Sequence, residues 1–208
     1  MANLITLIRL ISAFVIGAIA LYANSFWQLI NPPLIIINIL LDGLDGIIAR
    51  MRNETSIIGA VFDIAADRII EITLWIILAF LGETSVWIPI IFLTRGILVD
   101  SIRKPYAYRG KLPFSVMRTP VGKFLVASRI MRFMSGFIKL VAFAWLFFLI
   151  PATELWPNIF LVHISWYNYI SNILIFSAVA ICLARGIPVV LEALAYWFDI
   201  QVRNFNIR

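Results

Sequence analysis

Long apolar runs separated by short polar connections organise this chain. Six runs, at about 4–23, 33–50, 57–81, 86–104, 120–150 and 168–187, approach or exceed the length a helix needs to cross the hydrocarbon core of a bilayer. Their punctuation is that of helices. Asn31-Pro32-Pro33 marks the first connection, Gly82-Glu83 separates the third run from the fourth, and Thr119-Pro120 reads as an N-cap followed by proline at the first helical position. Pro151 is expected to stop the fifth helix. No alternating strand pattern competes, and no internal repeat or low-complexity tract is evident. The pattern therefore predicts an all-α integral membrane protein of six transmembrane helices, folded as a single domain over 1–208. The segment after Pro188, with Tyr196, Trp197, Phe198 and Phe205, suits a helix lying at the membrane interface; a disordered tail is the other reading.

Composition removes the alternatives. Hydrophobic residues make up 62% of the 208 and charged residues only 13%, about half the charge of an average soluble domain. A water-soluble fold of this size lacks the interior to hide so much apolar side chain. The lone Cys182 rules out an intrachain disulfide and says nothing of redox compartment. The apolar start with Ala18-Ile-Ala20 could pass for a signal peptide, but Arg9 interrupts the run and no basic side chain precedes it, so it is read as the first membrane helix.

The net charge of +6 is explained by topology rather than by nucleic acid. The connections at about 24–32, 82–85 and 151–167 hold no Lys or Arg, only Glu83, Glu154 and His163. Those on the other side hold Arg50, Arg52, Arg103, Lys104, Arg109, Lys111, Arg118 and Lys123, and the tail adds Arg203 and Arg208. The positive-inside rule then places both termini and the 51–56 and 105–119 loops in the cytoplasm.

Against this apolar background four aspartates stand out at the facing ends of the second and third runs. Asp42 and Asp45 are three residues apart and Asp63 and Asp67 four apart, so each pair shares a helix face. The short turn from Arg50 to Ile57 makes the two helices antiparallel neighbours and brings both pairs to similar depth near the cytoplasmic end. Ionisable groups inside membrane segments are costly and mark functional sites. Four converging carboxylates need cations or protons to coexist. Oxygen-only ligands suit Mg²⁺, Mn²⁺ or Ca²⁺, and paired metals are a recurrent solution for phosphoryl chemistry. Gly46, Ala49 and Gly59 leave room for a close approach of backbones or a ligand, and Arg50 offers a planar cation suited to phosphate. The structural alternative is a set of ion pairs between these acids and Arg50, Arg52 or Arg68, or a proton relay.

A family resemblance enters through the same residues. The stretch Asp42-Gly-Leu-Asp45-Gly46-Ile-Ile-Ala49-Arg50, eight residues, then Gly59-Ala-Val-Phe-Asp63-Ile-Ala-Ala-Asp67 resembles the signature D-x-x-D-G-x-x-A-R-x(8)-G-x-x-x-D-x-x-x-D of the CDP-alcohol phosphotransferases at all eight fixed positions. The resemblance implies an enzyme that moves a phosphatidyl or similar phosphoryl group from a CDP-linked lipid such as CDP-diacylglycerol to an alcohol, releasing CMP. It implies that Asp42, Asp45, Asp63 and Asp67 bind one or two divalent ions, Mg²⁺ or Mn²⁺, with Asp67 also the general base. Asp45, Gly46, Ala49, Arg50 and Gly59 would hold the CDP moiety, and Thr55 or Ser56 in the gap would contact the donor. It also implies a homodimer.

The acceptor is less sharply written. Arg95 falls near the middle of its run, and Arg129, Arg132 and Lys139 lie broadly on one face of the next. The functional reading is a cationic pocket for an acceptor phosphate; the alternative is cytoplasmic anchoring by snorkelling side chains. Asn3-Leu-Ile-Thr6-Leu-Ile-Arg9 is similar to the start of many phosphatidylglycerophosphate synthases, which favours glycerol 3-phosphate. Where those usually carry Gly-Lys-x-Lys-Thr, this chain has Ser128-Arg129-Ile-Met-Arg132, so inositol phosphate, inositol or serine stay open. By analogy the setting is a bacterial plasma membrane. A carboxylate-lined cation transporter fits six spans with acids at one end, but leaves the spacing of Gly46, Ala49, Arg50 and Gly59 unexplained. A catalytically silent scaffold is disfavoured because no signature residue is missing.

Overall fold

The computed structural model of the chain describes residues 2–51, 57–108, 120–160 and 162–205; within these, residues 2, 43–51, 57, 58, 60, 103–108, 120, 121 and 196–205 are described by their backbone alone. The described residues form helices α1 (Ala2–Tyr22), α2 (Ser25–Gln28), α3 (Asn31–Met51), α4 (Ile57–Phe80), α5 (Trp87–Tyr108), α6 (Pro120–Ala127), α7 (Arg129–Leu155), α8 (Pro157–Phe160) and α9 (Ile164–Phe205), with no strand among them. The all-helical expectation holds. Among the described residues four segments, Asn3–Tyr22, Ser25–Asp42, Arg129–Leu155 and Ile164–Ala195, are long and apolar enough to cross a membrane. The α4 and α5 helices are as long, but Asp63, Asp67, Arg68 and Glu71 interrupt one and Arg95, Asp100, Arg103 and Lys104 the other.

Several boundaries differ from the sequence expectation. Asn31, Pro32 and Pro33 do not sit in the connection but open α3, where the first-turn N–H groups need no intrahelical acceptor and proline is tolerated. The fifth run is interrupted at Ser128, between α6 and α7. Pro151 does not stop α7, which continues to Leu155, and Pro188 lies inside an unbroken α9 of 42 residues. The segment after Pro188, expected as a helix at the membrane interface, is helical and belongs to the same helix as the last apolar run. A proline removes one backbone hydrogen bond and crowds the preceding turn, and a long apolar helix with its other bonds intact can absorb that loss.

The chain divides into two compact units. One comprises Met1–Ile90 with Ile138–Phe176, the other Ile91–Phe137 with Ser177–Arg208. In the first, α1 packs against α3 and α4. Its buried face runs through Thr6, Arg9, Ala13, Ile16 and Ala20, steps of three and four residues that trace one side of a helix, while Leu4, Leu7, Ile8, Ile11, Phe14 and Val15 are exposed. The α3 helix answers with Asn31, Ile35 and Asn38. Apolar side chains outward and polar groups inward are what a lipid solvent selects, and the chain is accordingly an integral membrane protein. Gly17 permits the close α1–α4 approach, since a Cβ there would lie 2.7 Å from Cδ1 of Ile77. Deeper in this unit Trp75 packs on Phe143 with ring centroids 4.7 Å apart, and the Trp145 indole donates to Ser171 Oγ at 2.9 Å.

The second unit has a small core of Val99, Val126 and Val189, flanked by Ile102 and Leu125. There the Arg95 side chain lies along the bare backbone of Gly186, where a Cβ would meet its Cγ at 2.6 Å.

Candidate functional site

The i, i+4 spacing of Asp63 and Asp67 on α4 and the place of Asp42 on α3, one turn after the buried Asn38, bring three carboxylates together. One oxygen from each of Asp42, Asp63 and Asp67 lies within 4.8 Å of the others. Their side chains are 42%, 39% and 44% exposed, so the cluster opens outward from the helix packing. Hard oxygen donors in this number and proximity fit a divalent ion such as Mg²⁺ or Mn²⁺. Asp45 follows Asp42 on α3, as do Gly46, Ala49 and Arg50, all of them described by backbone only; Thr55 and Ser56 lie outside the described residues. Gly59 is in the first turn of α4, one turn before Asp63.

Arg9, which the sequence did not place at the acids, closes the cluster from behind. Arg9 of α1 is 3% exposed and reaches all three acids: Nη1 lies 2.8 Å from Asp42 Oδ1 and 3.4 Å from Asp63 Oδ1, and Nη2 lies 2.7 Å from Asp67 Oδ1. It is fixed at its root. Nε donates to the Asn38 carbonyl at 3.3 Å, and Asn38 Nδ2 donates back to the Arg9 carbonyl at 2.8 Å and to Ser12 Oγ. Its signal in the sequence was a lone cation in an apolar run, on the same helix face as Thr6 and Ala13.

One turn beyond Asp67, Glu71 forms a second polar site. It accepts from Lys139 of α7 at 2.8 Å and from Arg68 at 3.2 Å, and its side chain is only 11% exposed. Lys139, expected in a cationic acceptor pocket, is thus tied to a carboxylate on α4, while Arg68, considered as a partner of the aspartates, bonds Glu71. Arg129 and Arg132 present exposed side chains, and Arg95 packs along Gly186 as described.

The family model described as CDP-alcohol phosphatidyltransferase matches residues 1–201. A Wigglesworthia glossinidia brevipalpis protein named CDP-diacylglycerol--glycerol-3-phosphate 3-phosphatidyltransferase is 36% identical over 113 residues, 51% of this chain and 60% of that one. A Mycobacterium tuberculosis protein named "Putative cardiolipin synthase" is 32% identical over 99 residues, 47% of this chain and 46% of that one. The matched regions thus span about half the length of these curated relatives.

Proposed function

The chain belongs to the CDP-alcohol phosphatidyltransferase family, and from that premise we propose that it transfers a phosphatidyl group from CDP-diacylglycerol or a similar CDP-lipid to an alcohol, releasing CMP, with glycerol 3-phosphate as acceptor. The observation that carries this reading is the convergence of Asp42, Asp63 and Asp67, at the signature spacing, on the open side of a helix cluster. The similarity to a protein named for glycerol-3-phosphate phosphatidyl transfer supports the acceptor.

In this proposal Asp42, Asp45, Asp63 and Asp67 hold one or two divalent ions. A bound Mg²⁺ or Mn²⁺ supplies charge neutralisation at the pyrophosphate and at the departing CMP. Asp45, Gly46, Ala49, Arg50, Thr55, Ser56 and Gly59 hold the CDP moiety: the small residues admit it, and the Arg50 guanidinium suits phosphate. Asp67 takes the proton from the acceptor hydroxyl as its oxygen attacks the β-phosphorus, the one bonded to the lipid glycerol; the bond from that phosphorus to the CMP oxygen breaks. Arg95, Arg129, Arg132 and Lys139 are the cations that the sequence offers for an acceptor phosphate, and of these Lys139 is paired with Glu71.

The wider setting belongs to the same proposal. Six spans carry the site with both termini cytoplasmic, supported by the absence of Lys and Arg from one set of connections. The donor's acyl chains stay in the bilayer, that of a bacterial plasma membrane, while its headgroup reaches the acids from the cytoplasmic side. Both compact units act as one domain, as a family match over 1–201 supports, and two copies form a homodimer. The test is an acceptor screen: purified protein receives CDP-diacylglycerol, Mg²⁺ and one alcohol at a time, and lipid products are weighed by mass spectrometry. Phosphatidylglycerophosphate from glycerol 3-phosphate is expected. A phosphatidylinositol phosphate or phosphatidylserine product instead would transfer the acceptor assignment.

A further inference from the structure

Arg9 is placed where a cation is electrostatically demanded. Three carboxylates with oxygens inside 4.8 Å of one another repel strongly when the surroundings are hydrocarbon and packed helix. The guanidinium touches an oxygen of each, from two different helices, and does so from the buried side: it is 3% exposed while the acids are about two-fifths exposed. The double clamp to Asn38 anchors it there. A planar guanidinium presents several donors in a fixed fork, so one anchored side chain can reach three acids at once.

We propose that Arg9 is a positioning residue of the acid cluster, a permanent internal counter-cation that keeps Asp42, Asp63 and Asp67 converged when no divalent ion is bound and leaves their open side for the ion. Part of this rests on the metal reading above; the alignment of the acids by Arg9 does not. Arg9 and the ion share one electrostatic duty from opposite sides. Removing Arg9 therefore makes the fold depend on metal, whereas removing a residue that merely fills space costs the same with or without it.

The experiment is thermal unfolding of purified full-length protein in EDTA and in saturating Mn²⁺, for wild type, Arg9→Gln, Arg9→Lys and the double variant Arg9→Gln/Asp67→Asn. In EDTA, Arg9→Gln should melt about 10 °C or more below wild type, the scale expected when a buried charge cluster loses its partner. Mn²⁺ should close most of that gap. Arg9→Lys, which keeps the charge and loses the fork, should lie between them. In EDTA the double variant should be more stable than Arg9→Gln alone, because it removes one of the stranded acids. A gap of equal size in EDTA and Mn²⁺ would overturn the proposal, as would a double variant less stable than Arg9→Gln. Arg9→Gln protein recovered folded only in Mn²⁺ is the extreme form of the expected result; recovery in neither condition would contradict it. If Mn²⁺ shifts no protein at all, including wild type, the metal reading fails, and the double variant in EDTA decides the part played by Arg9.

Discussion

Asp67 accepts from Arg9 on one oxygen at 2.7 Å, and the proposed chemistry asks the same carboxylate to receive a proton. Asp67→Asn keeps the shape and one acceptor oxygen but removes the basic group. Turnover should fall by at least the roughly hundred-fold that general base catalysis contributes, while CDP-diacylglycerol binding, read by equilibrium titration, persists. Near wild-type turnover would exclude Asp67 as the base. The cationic residues separate by their surroundings. Arg132 is exposed, so Arg132→Gln should raise the KM for glycerol 3-phosphate about ten-fold or more through the loss of a charge-assisted hydrogen bond, with the donor KM unmoved. Lys139→Gln leaves Glu71 with Arg68 but without its 2.8 Å partner and should also lower the melting temperature, by the equivalent of about 2 kcal/mol. Unchanged Michaelis constants in both variants would leave these residues as anchors. At this scale the acids were legible because a carboxylate in an apolar run has few other reasons to be there. The pairing of Lys139 with Glu71 was not, since it joins helices α7 and α4 that nothing in their local sequence brings together. Arg9 was visible as a charge but not as a partner, because its meaning depends on which face of α1 meets α3 and α4.

The helices were legible to the extent that their ends follow from backbone chemistry. Gly82, read from the sequence as a break, ends α4 at φ 82°, with the Glu83 N–H donating to the Leu78 carbonyl at 2.9 Å and the Gly82 N–H to that of Ala79 at 3.2 Å. This is a Schellman termination, and the left-handed conformation favours glycine. Gly82→Ala should therefore cost about 1 kcal/mol, seen as a lower melting temperature with both Michaelis constants unchanged. No loss of stability would mean that the turn does not hold this conformation in the membrane. The prolines misled for the complementary reason. Pro151 is buried within α7 and Pro188 lies within α9, so helical continuity there is decided by packing and by the scarcity of other backbone partners in lipid, not by local propensity. The Ser128 interruption carries no such residue signal and was missed.

At the scale of the whole molecule, lipid is the solvent, and this explains both the exposed apolar surface of α1 and the inward placement of Thr6, Arg9 and Asn38. The membrane class was readable from composition alone. The division into two compact units was not, because hydropathy reports depth and not which helix neighbours which. What joins fold to function is the claim that the acid cluster at the ends of α3 and α4 works by holding divalent ions around a CDP-lipid. The most direct test is CMP release by purified protein from CDP-diacylglycerol with glycerol 3-phosphate, followed in EDTA and after adding back Mg²⁺ or Mn²⁺. Release should vanish in the chelator, return with either ion, and require the acceptor alcohol. Undiminished release in EDTA, or no release with any alcohol while the protein carries divalent cations across a vesicle membrane, would contradict it.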